Sequence, residues 1–154
     1  MLSEKELQDI NTELAHAVTK ASASVEALNI IQRHRGWVSD EAVKDVAAAL
    51  DMTTDELDAV ATFYSFIFRR PVGKNVILIC DSISCYVMGY NPLLDVIKSK
   101  LGISFGGTTE DKRFTLLPIS CLGACDRAPA MMVNEELYGP VTAEMMEEIL
   151  GKYQ

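Results

Sequence analysis

Val76-Ile77-Leu78-Ile79-Cys80-Asp81-Ser82-Ile83-Ser84-Cys85 is the stretch on which the fold turns. Its first four residues form a short, β-branched apolar run, the pattern of a buried strand, and the run stops at a cysteine. A second strand is predicted over Arg113 to Ile119, followed by Cys121-Leu122-Gly123-Ala124-Cys125. Each cysteine pair, C-x4-C and C-x3-C, therefore follows a strand and sits in a loop. Two strand-end loops of one sheet can present four thiolates to a common point.

Working outward, a helix is predicted from about Pro92 to Leu101, closed by Gly102, with further strands over Ala130 to Asn134 and Glu136 to Tyr138. Thr142 is positioned to cap a last helix carrying Met145, Met146, Ile149 and Leu150. Strand, helix, strands and helix suggest a small α/β sandwich. Upstream, Pro71 and Gly73 mark a boundary, and residues 3–64 read as helix after helix. Ser3-x-x-Glu6 and Thr53-x-x-Glu56 have the form of capping boxes, Ser39 can cap a short helix between them, and Gly36 ends the helix carrying Val25, Leu28, Ile31 and Gln32. The expected fold class is α+β, with a helical bundle over 1–70 and an α/β domain over 71–154.

Composition narrows the function. The chain has 154 residues, 49% apolar and 23% charged, with 14 basic against 22 acidic side chains and a net charge of −8. This is an ordinary globular composition, and its acidic excess runs against phosphate neutralisation, so no nucleic-acid partner is expected. No apolar window reaches the roughly 18 residues of a membrane span, so no membrane insertion is expected. The N-terminal Met1-Leu2-Ser3-Glu4-Lys5-Glu6 is acidic and lacks the basic and apolar regions of a secretory signal, which predicts a cytoplasmic location. In that reducing compartment four cysteines point to metal binding or redox chemistry rather than structural disulfides.

All four cysteines, Cys80, Cys85, Cys121 and Cys125, lie in the two pairs. Thiolates suit zinc or an iron–sulfur cluster. Structural zinc favours C-x2-C knuckles, absent here, whereas a [2Fe–2S] cluster is longer than one ion and takes two cysteines per iron, which suits wider loops. Ser82, Ser84, Gly123 and Ala124 are small enough to let backbone N–H groups approach the sulfurs and tune a potential. Iron–sulfur is the favoured reading, a zinc-stabilised interaction module the second, and a thiol–disulfide enzyme the third, since C-x-x-C is missing.

Ala61-Thr62-Phe63-Tyr64, Pro71-Val72-Gly73-Lys74, Cys80-x4-Cys85, Arg113-Phe114-Thr115-Leu116, and Cys121-Leu122-Gly123-Ala124-Cys125 with Ala128-Pro129 occur in an order that resembles the 24 kDa-type [2Fe–2S] subunit of respiratory complex I, the E-type subunit of bacterial NADH-quinone oxidoreductases. The resemblance runs from about Val25 to the C-terminus. Cys80-Asp81-Ser82-x-x-Cys85 with Gly89-Tyr90 and Leu116-Leu117-Pro118 looks especially like the bacterial form. The resemblance implies a thioredoxin-like domain carrying one [2Fe–2S] cluster of the N1a type. Cys80 and Cys85 would hold one iron, and Cys121 and Cys125 the other. It also implies a flavoprotein partner that binds NADH and FMN, against which the helical part packs, within the peripheral arm of a membrane-bound complex on the cytoplasmic side of the membrane. The cluster would exchange one electron with FMN as a side acceptor, while the main route to quinone leaves through other subunits. The equivalent subunit of a soluble NAD-linked hydrogenase or formate dehydrogenase is the alternative. One departure is Asp111-Lys112, where many relatives have Asp-Gly ahead of Arg-Phe-Thr. Lysine resists positive φ, which puts the turn type there in question.

The remaining candidates have plainer expectations. His16 and His34 are assigned to helix surfaces or ends. Met131-Met132 and Met145-Met146 are assigned to core packing, and about half of Phe63, Tyr64, Phe66 and Phe68 to the core, the rest forming a partner-binding patch. Asp81 and Asp126, each directly after a cysteine, are expected to be solvated. Gly102 to Gly107 lacks the spacing of a dinucleotide fingerprint, so NADH is expected to bind elsewhere. Pro129 precedes a strand, and its isomer is not legible in the sequence.

Overall fold

The computed structural model describes residues 1–153. They divide into two compact units, Met1–Pro71 and Val72 onward.

The first unit contains α1 (Glu4–Leu14), α2 (Ser24–Arg35), α3 (Asp40–Ala49) and α4 (Thr54–Phe63). Hydroxyl caps start most of them. The side-chain oxygens of Ser3, Ser39 and Thr53 accept from the N–H groups of Glu6, Ala42 and Glu56, each at 3.2 Å, and both predicted capping boxes are complete. Gly36 ends α2 at φ 83, its N–H donating to Gln32 at 2.7 Å. Ile10, Leu28, Ile31, Val43, Val46, Leu50 and Leu57 fill the core. Two side chains tie the segment after α4 back to the bundle. Gln32 donates to the Phe66 carbonyl at 2.8 Å and accepts from the Phe68 N–H at 2.6 Å. Arg69 bonds Asp58 at 2.7 Å and Asp40 at 2.8 Å, and donates to the Val38 carbonyl.

That segment does not supply the expected core aromatics. Phe63, Tyr64 and Phe66 are exposed and Phe68 is half-buried, while Ile67 is the buried residue of the run. The Gln32 clamp orients the backbone so that Ile67 points inward, and the rings are left outside.

The second unit contains β1 (Asn75–Cys80), α5 (Ile83–Val87), α6 (Tyr90–Leu101), β2 (Phe114–Ile119), β3 (Met131–Val133), β4 (Glu136–Tyr138) and α7 (Met146–Gly151). The sheet order is β2-β1-β3-β4, with β1 and β2 parallel and the other pairs antiparallel. Every β1 residue is buried, as its unbroken apolar run predicts. Ile77, Ile79, Phe114, Leu116, Met131 and Val133 form one core with Leu93, Leu94 and Ile97 of α6 and Met146 and Ile149 of α7. The methionine pairs split by alternation: Met131 and Met146 are fully buried, whereas Met132 is half-buried and Met145 exposed. Thr142 makes no side-chain cap; a 3₁₀ turn over Ala143–Met145 intervenes before α7. The Ala128–Pro129 and Gly139–Pro140 peptides are cis. No helix among the described residues is long and apolar enough to cross a membrane.

Lys112 adopts the left-handed conformation, φ 56, despite its side chain. The Asp111 carboxylate over-determines the turn, accepting from the Thr109 hydroxyl at 2.5 Å and the Arg113 N–H at 3.0 Å. A close approach makes the turn matter: a Cβ on Gly73 would lie 2.8 Å from the Lys112 carbonyl oxygen, so the chain entering β1 passes directly beneath it.

These packing features have measurable consequences. Glu6 is buried, its carboxylate bonded to Arg35 at 2.6 Å and serving the Ser3 capping box. The Arg35 hydrogen bond, opposed by burial and aided by Ser3, lowers its pKa from 4.5 to about 2. Because the folded value lies below the unfolded one, the contribution is complete above about pH 5 and is lost as pH falls from 4.5 through 2. Linkage puts it at up to about 3 kcal/mol, and Glu6→Gln should flatten the acid limb of a denaturation-versus-pH profile. Lys112→Gly should raise the denaturation free energy of the second unit by about 1 kcal/mol by relieving the left-handed strain; an unchanged or lower value would show that the turn is not strained.

Candidate metal centre

Parallel pairing of β1 and β2 sets Cys80 opposite Ile119, so the chain leaves both strands at the same edge of the sheet. The Asp81 N–H donates to the Ile119 carbonyl at 3.0 Å, and the Cys80 N–H to Ala130 at 3.1 Å, which holds the two departing segments together. The first does not remain an open loop as expected. Ile83–Val87 wind into α5, with Ser82 at its N-cap, and this turn carries Cys85 back into the interior. The second turns through Gly123, in the left-handed region at φ 72, and closes with a 3₁₀ turn over Cys125–Arg127.

All four thiols are free. The Cys121 and Cys125 sulfurs are 4.0 Å apart, close to the roughly 3.8 Å that two thiolates span on one tetrahedral metal with bonds of about 2.3 Å. Cys80 and Cys85 shift each other's pKa, and the backbone N–H of Leu122, a residue lying between the other two cysteines, lowers that of Cys80. The thiols are thus arranged as two pairs at the adjoining ends of β1 and β2. Among the described residues no three His, Cys, Asp or Glu side chains are grouped to hold one metal ion. Two chelating pairs joined at one sheet edge are the donor set that a two-iron cluster needs, soft and divided two by two.

The pairs differ in environment. Cys80 and Cys85 are buried, Cys121 and Cys125 exposed. Burial pushes the Cys80 thiol up, but the Ser82 hydroxyl, the backbone N–H groups of Ser82 and Leu122 and the Cys85 thiol outweigh it and hold Cys80 below the ordinary thiol range. Burial raises Cys85, the Ala130 N–H opposes this, and donation to Cys80 raises it further. Cys121 receives the Gly123 N–H at 3.3 Å. Small residues next to the sulfurs thus do admit backbone donors. Asp81 and Asp126 are exposed. His34 pairs with Asp9 at 2.7 Å in the helical unit, and His16 lies exposed beyond α1.

Two features were not foreseen. Ile83, Tyr86, Val87 and Met88 are exposed around buried Cys85, forming an apolar rim. The β-branched content of this segment reads against a helix, and only its i, i+3, i+4 spacing could have signalled one shared face. A mainly apolar cleft of about 330 Å³ adjoins it, lined by Met88, Gly89, Pro92, Pro129 and Val141.

A model of the thioredoxin-like [2Fe–2S] ferredoxin family matches residues 10–154. The chain is 44% identical over 153 residues to the E-type subunit of NADH-quinone oxidoreductase from Pseudomonas aeruginosa, covering 99% of this chain and 92% of that protein. The E-type subunit of NADH-quinone oxidoreductase from Escherichia coli (strain K12) matches with the same identity and coverage. Among solved structures, a chain of a NAD+-reducing [NiFe]-hydrogenase in the H2-reduced state has a TM-score of 0.72 at 24% identity, over 86% of this chain and 22% of that one, a likeness of fold.

Proposed function

The chain belongs to the thioredoxin-like [2Fe–2S] ferredoxin family, and from that premise we propose that it is the electron-carrier subunit of an NADH-quinone oxidoreductase. Identity of 44% over nearly the whole length with subunits of that enzyme supports the assignment. The observation that carries it is the convergence of two free thiol pairs at adjoining ends of β1 and β2.

In this reading Cys80 and Cys85 hold one iron of a single [2Fe–2S] cluster, and Cys121 and Cys125 hold the other. When bound, the cluster supplies one-electron chemistry, exchanged with FMN of a partner flavoprotein that itself binds NADH. The protein's own residues do the rest. Buried Cys80 and Cys85 anchor the inner side, where N–H groups from Ser82, Leu122 and Ala130 offset thiolate charge in a poorly solvated setting. The outer loop, with Cys121 and Cys125 exposed, leaves a face open to close approach. The apolar rim of Ile83, Tyr86, Val87 and Met88 excludes water there once covered. The chain's own part is electron transfer within an oxidoreductase; NADH and FMN belong to the partner.

The helical unit, residues 1–70, is assigned to partner binding, with Phe63 (79% exposed), Tyr64 and Phe66 as its apolar contact. On its likeness to E-type subunits of NADH-quinone oxidoreductase, the chain is assigned to the peripheral arm of the complex, on the cytoplasmic side.

Two experiments test this reading. Anaerobically purified protein should contain two irons and two sulfides per chain, and Cys85→Ser or Cys121→Ser should lose most of the visible absorbance and destabilise the second unit, because ligation contributes to folding. Unchanged colour and iron in either variant would remove that cysteine from the ligand set. A Phe63→Ser, Phe66→Ser double variant should weaken association with the FMN-binding flavoprotein at least tenfold at unchanged iron content; undiminished affinity would clear that face of a partner role.

A further inference from the structure

Four hydroxyl residues at helix or 3₁₀ starts in the first unit behave alike. Ser3, Thr19, Ser39 and Thr53 each turn the side-chain oxygen onto the backbone N–H three residues on, at 3.2 Å. Ser82 occupies the same position at the start of α5 and does not cap it. Its hydroxyl lies instead 3.3 Å from the Cys80 sulfur. A serine that leaves a helix N-terminus uncapped forgoes a contact worth about 1 kcal/mol elsewhere, so its orientation is set by the sulfurs.

The direction of that bond follows from the state of the cysteine. As a thiol, Cys80 donates its proton to the Ser82 oxygen. As a thiolate it has no proton to give, and the hydroxyl becomes the donor. Backbone donors to the sulfurs, from Leu122, Ala130 and Gly123, are fixed by the fold and present whatever the side chains. Ser82 supplies a hydroxyl donor to this set, and a hydroxyl can be removed by substitution without moving the backbone.

Resting on the electron-carrier reading above, we propose that Ser82 is a positioning residue that raises the reduction potential of the site by donating its hydroxyl proton to the Cys80 sulfur. One-electron reduction adds negative charge that is shared with the ligand sulfurs, and a hydrogen bond to a charged acceptor strengthens as that charge grows. Removing the donor disfavours the reduced state relative to the oxidised one. Half-burial of Ser82 beside buried Cys80 and Cys85 limits replacement of the lost bond by water.

The test is an EPR-monitored redox titration of the loaded full-length protein and its Ser82 variants, with iron and sulfide measured on each sample. Ser82→Ala is expected to lower the reduction equilibrium constant about tenfold, a fall of about 59 mV for a one-electron couple, at wild-type iron content. Ser82→Thr, which keeps the hydroxyl, should restore the potential, while Ser82→Val, of nearly the same shape, should not. An unmoved potential in loaded Ser82→Ala, or equal potentials in the threonine and valine variants, overturns the proposal. Failure of both hydroxyl-free variants to retain iron overturns it too, since the hydroxyl would then hold the loop instead of setting the potential. A wild-type chain without iron and sulfide would refute the electron-carrier reading itself, a result distinct from a loaded protein whose potential ignores Ser82.

Discussion

The parallel pairing of β1 with β2 is the constraint from which the rest of the second unit follows. Parallel strands share a direction, so both chains exit at one sheet edge, and the register that sets Cys80 against Ile119 brings the two exits level. A shift of one residue would turn Cys80 to the other face of the sheet and carry Cys85 with it. The register is held from both sides: by burial of every β1 residue, and by the bonds from Asp81 to Ile119 and from Cys80 to Ala130. The crossover needed to make strands parallel is α6, whose Leu93, Leu94 and Ile97 bury the face formed by Ile77, Ile79, Phe114 and Leu116. Core packing and metal-site geometry are therefore one problem, solved by the same register.

The site that results is uneven by construction. One thiol pair ends on β1 and α5 inside the unit, the other on a loop in solvent. The inner pair loses water and is compensated by donors placed at fixed positions: backbone N–H groups of Ser82, Leu122 and Ala130, together with the Ser82 hydroxyl. Ser82 is a chain neighbour of Cys80, but Leu122 and Ala130 are remote in sequence from Cys80 and Cys85, so their N–H groups act only once the sheet is assembled. The exposed pair needs less compensation, and Gly123, left-handed and free of side-chain bulk, brings its N–H to Cys121. An inner side that stabilises charge and an outer side open to approach suit a group that must gain and lose an electron at a protein surface.

Much of the chain was legible because its local signals agree with its packing. Ser3, Ser39 and Thr53 cap helices, Gly36 and Gly102 end them in left-handed geometry, and the Val76 to Cys80 run is a buried strand. The misreadings share a cause. Phe63, Tyr64 and Phe66 have core-like side chains, but the Gln32 amide holds the backbone at Phe66 and Phe68 from more than thirty residues away, and Ile67 between them is the buried residue. Lys112 violates a residue preference, yet the Asp111 carboxylate and its partners hold the turn. Thr142, expected to cap the last helix, makes no side-chain cap.

The sequence by itself determined the elements, the division near Pro71, and the soft donor character of Cys80, Cys85, Cys121 and Cys125, because capping, hydrophobic periodicity and thiolate softness are properties of neighbouring residues or of single side chains. Tertiary structure alone decided which sulfurs pair closely, which pair is buried, where the backbone donors fall, and that Ser82 faces a sulfur instead of its own helix. Those outcomes depend on distances between residues such as Cys80, Leu122 and Ala130, some forty to fifty positions apart, and such distances exist only after the parallel strands have set their register.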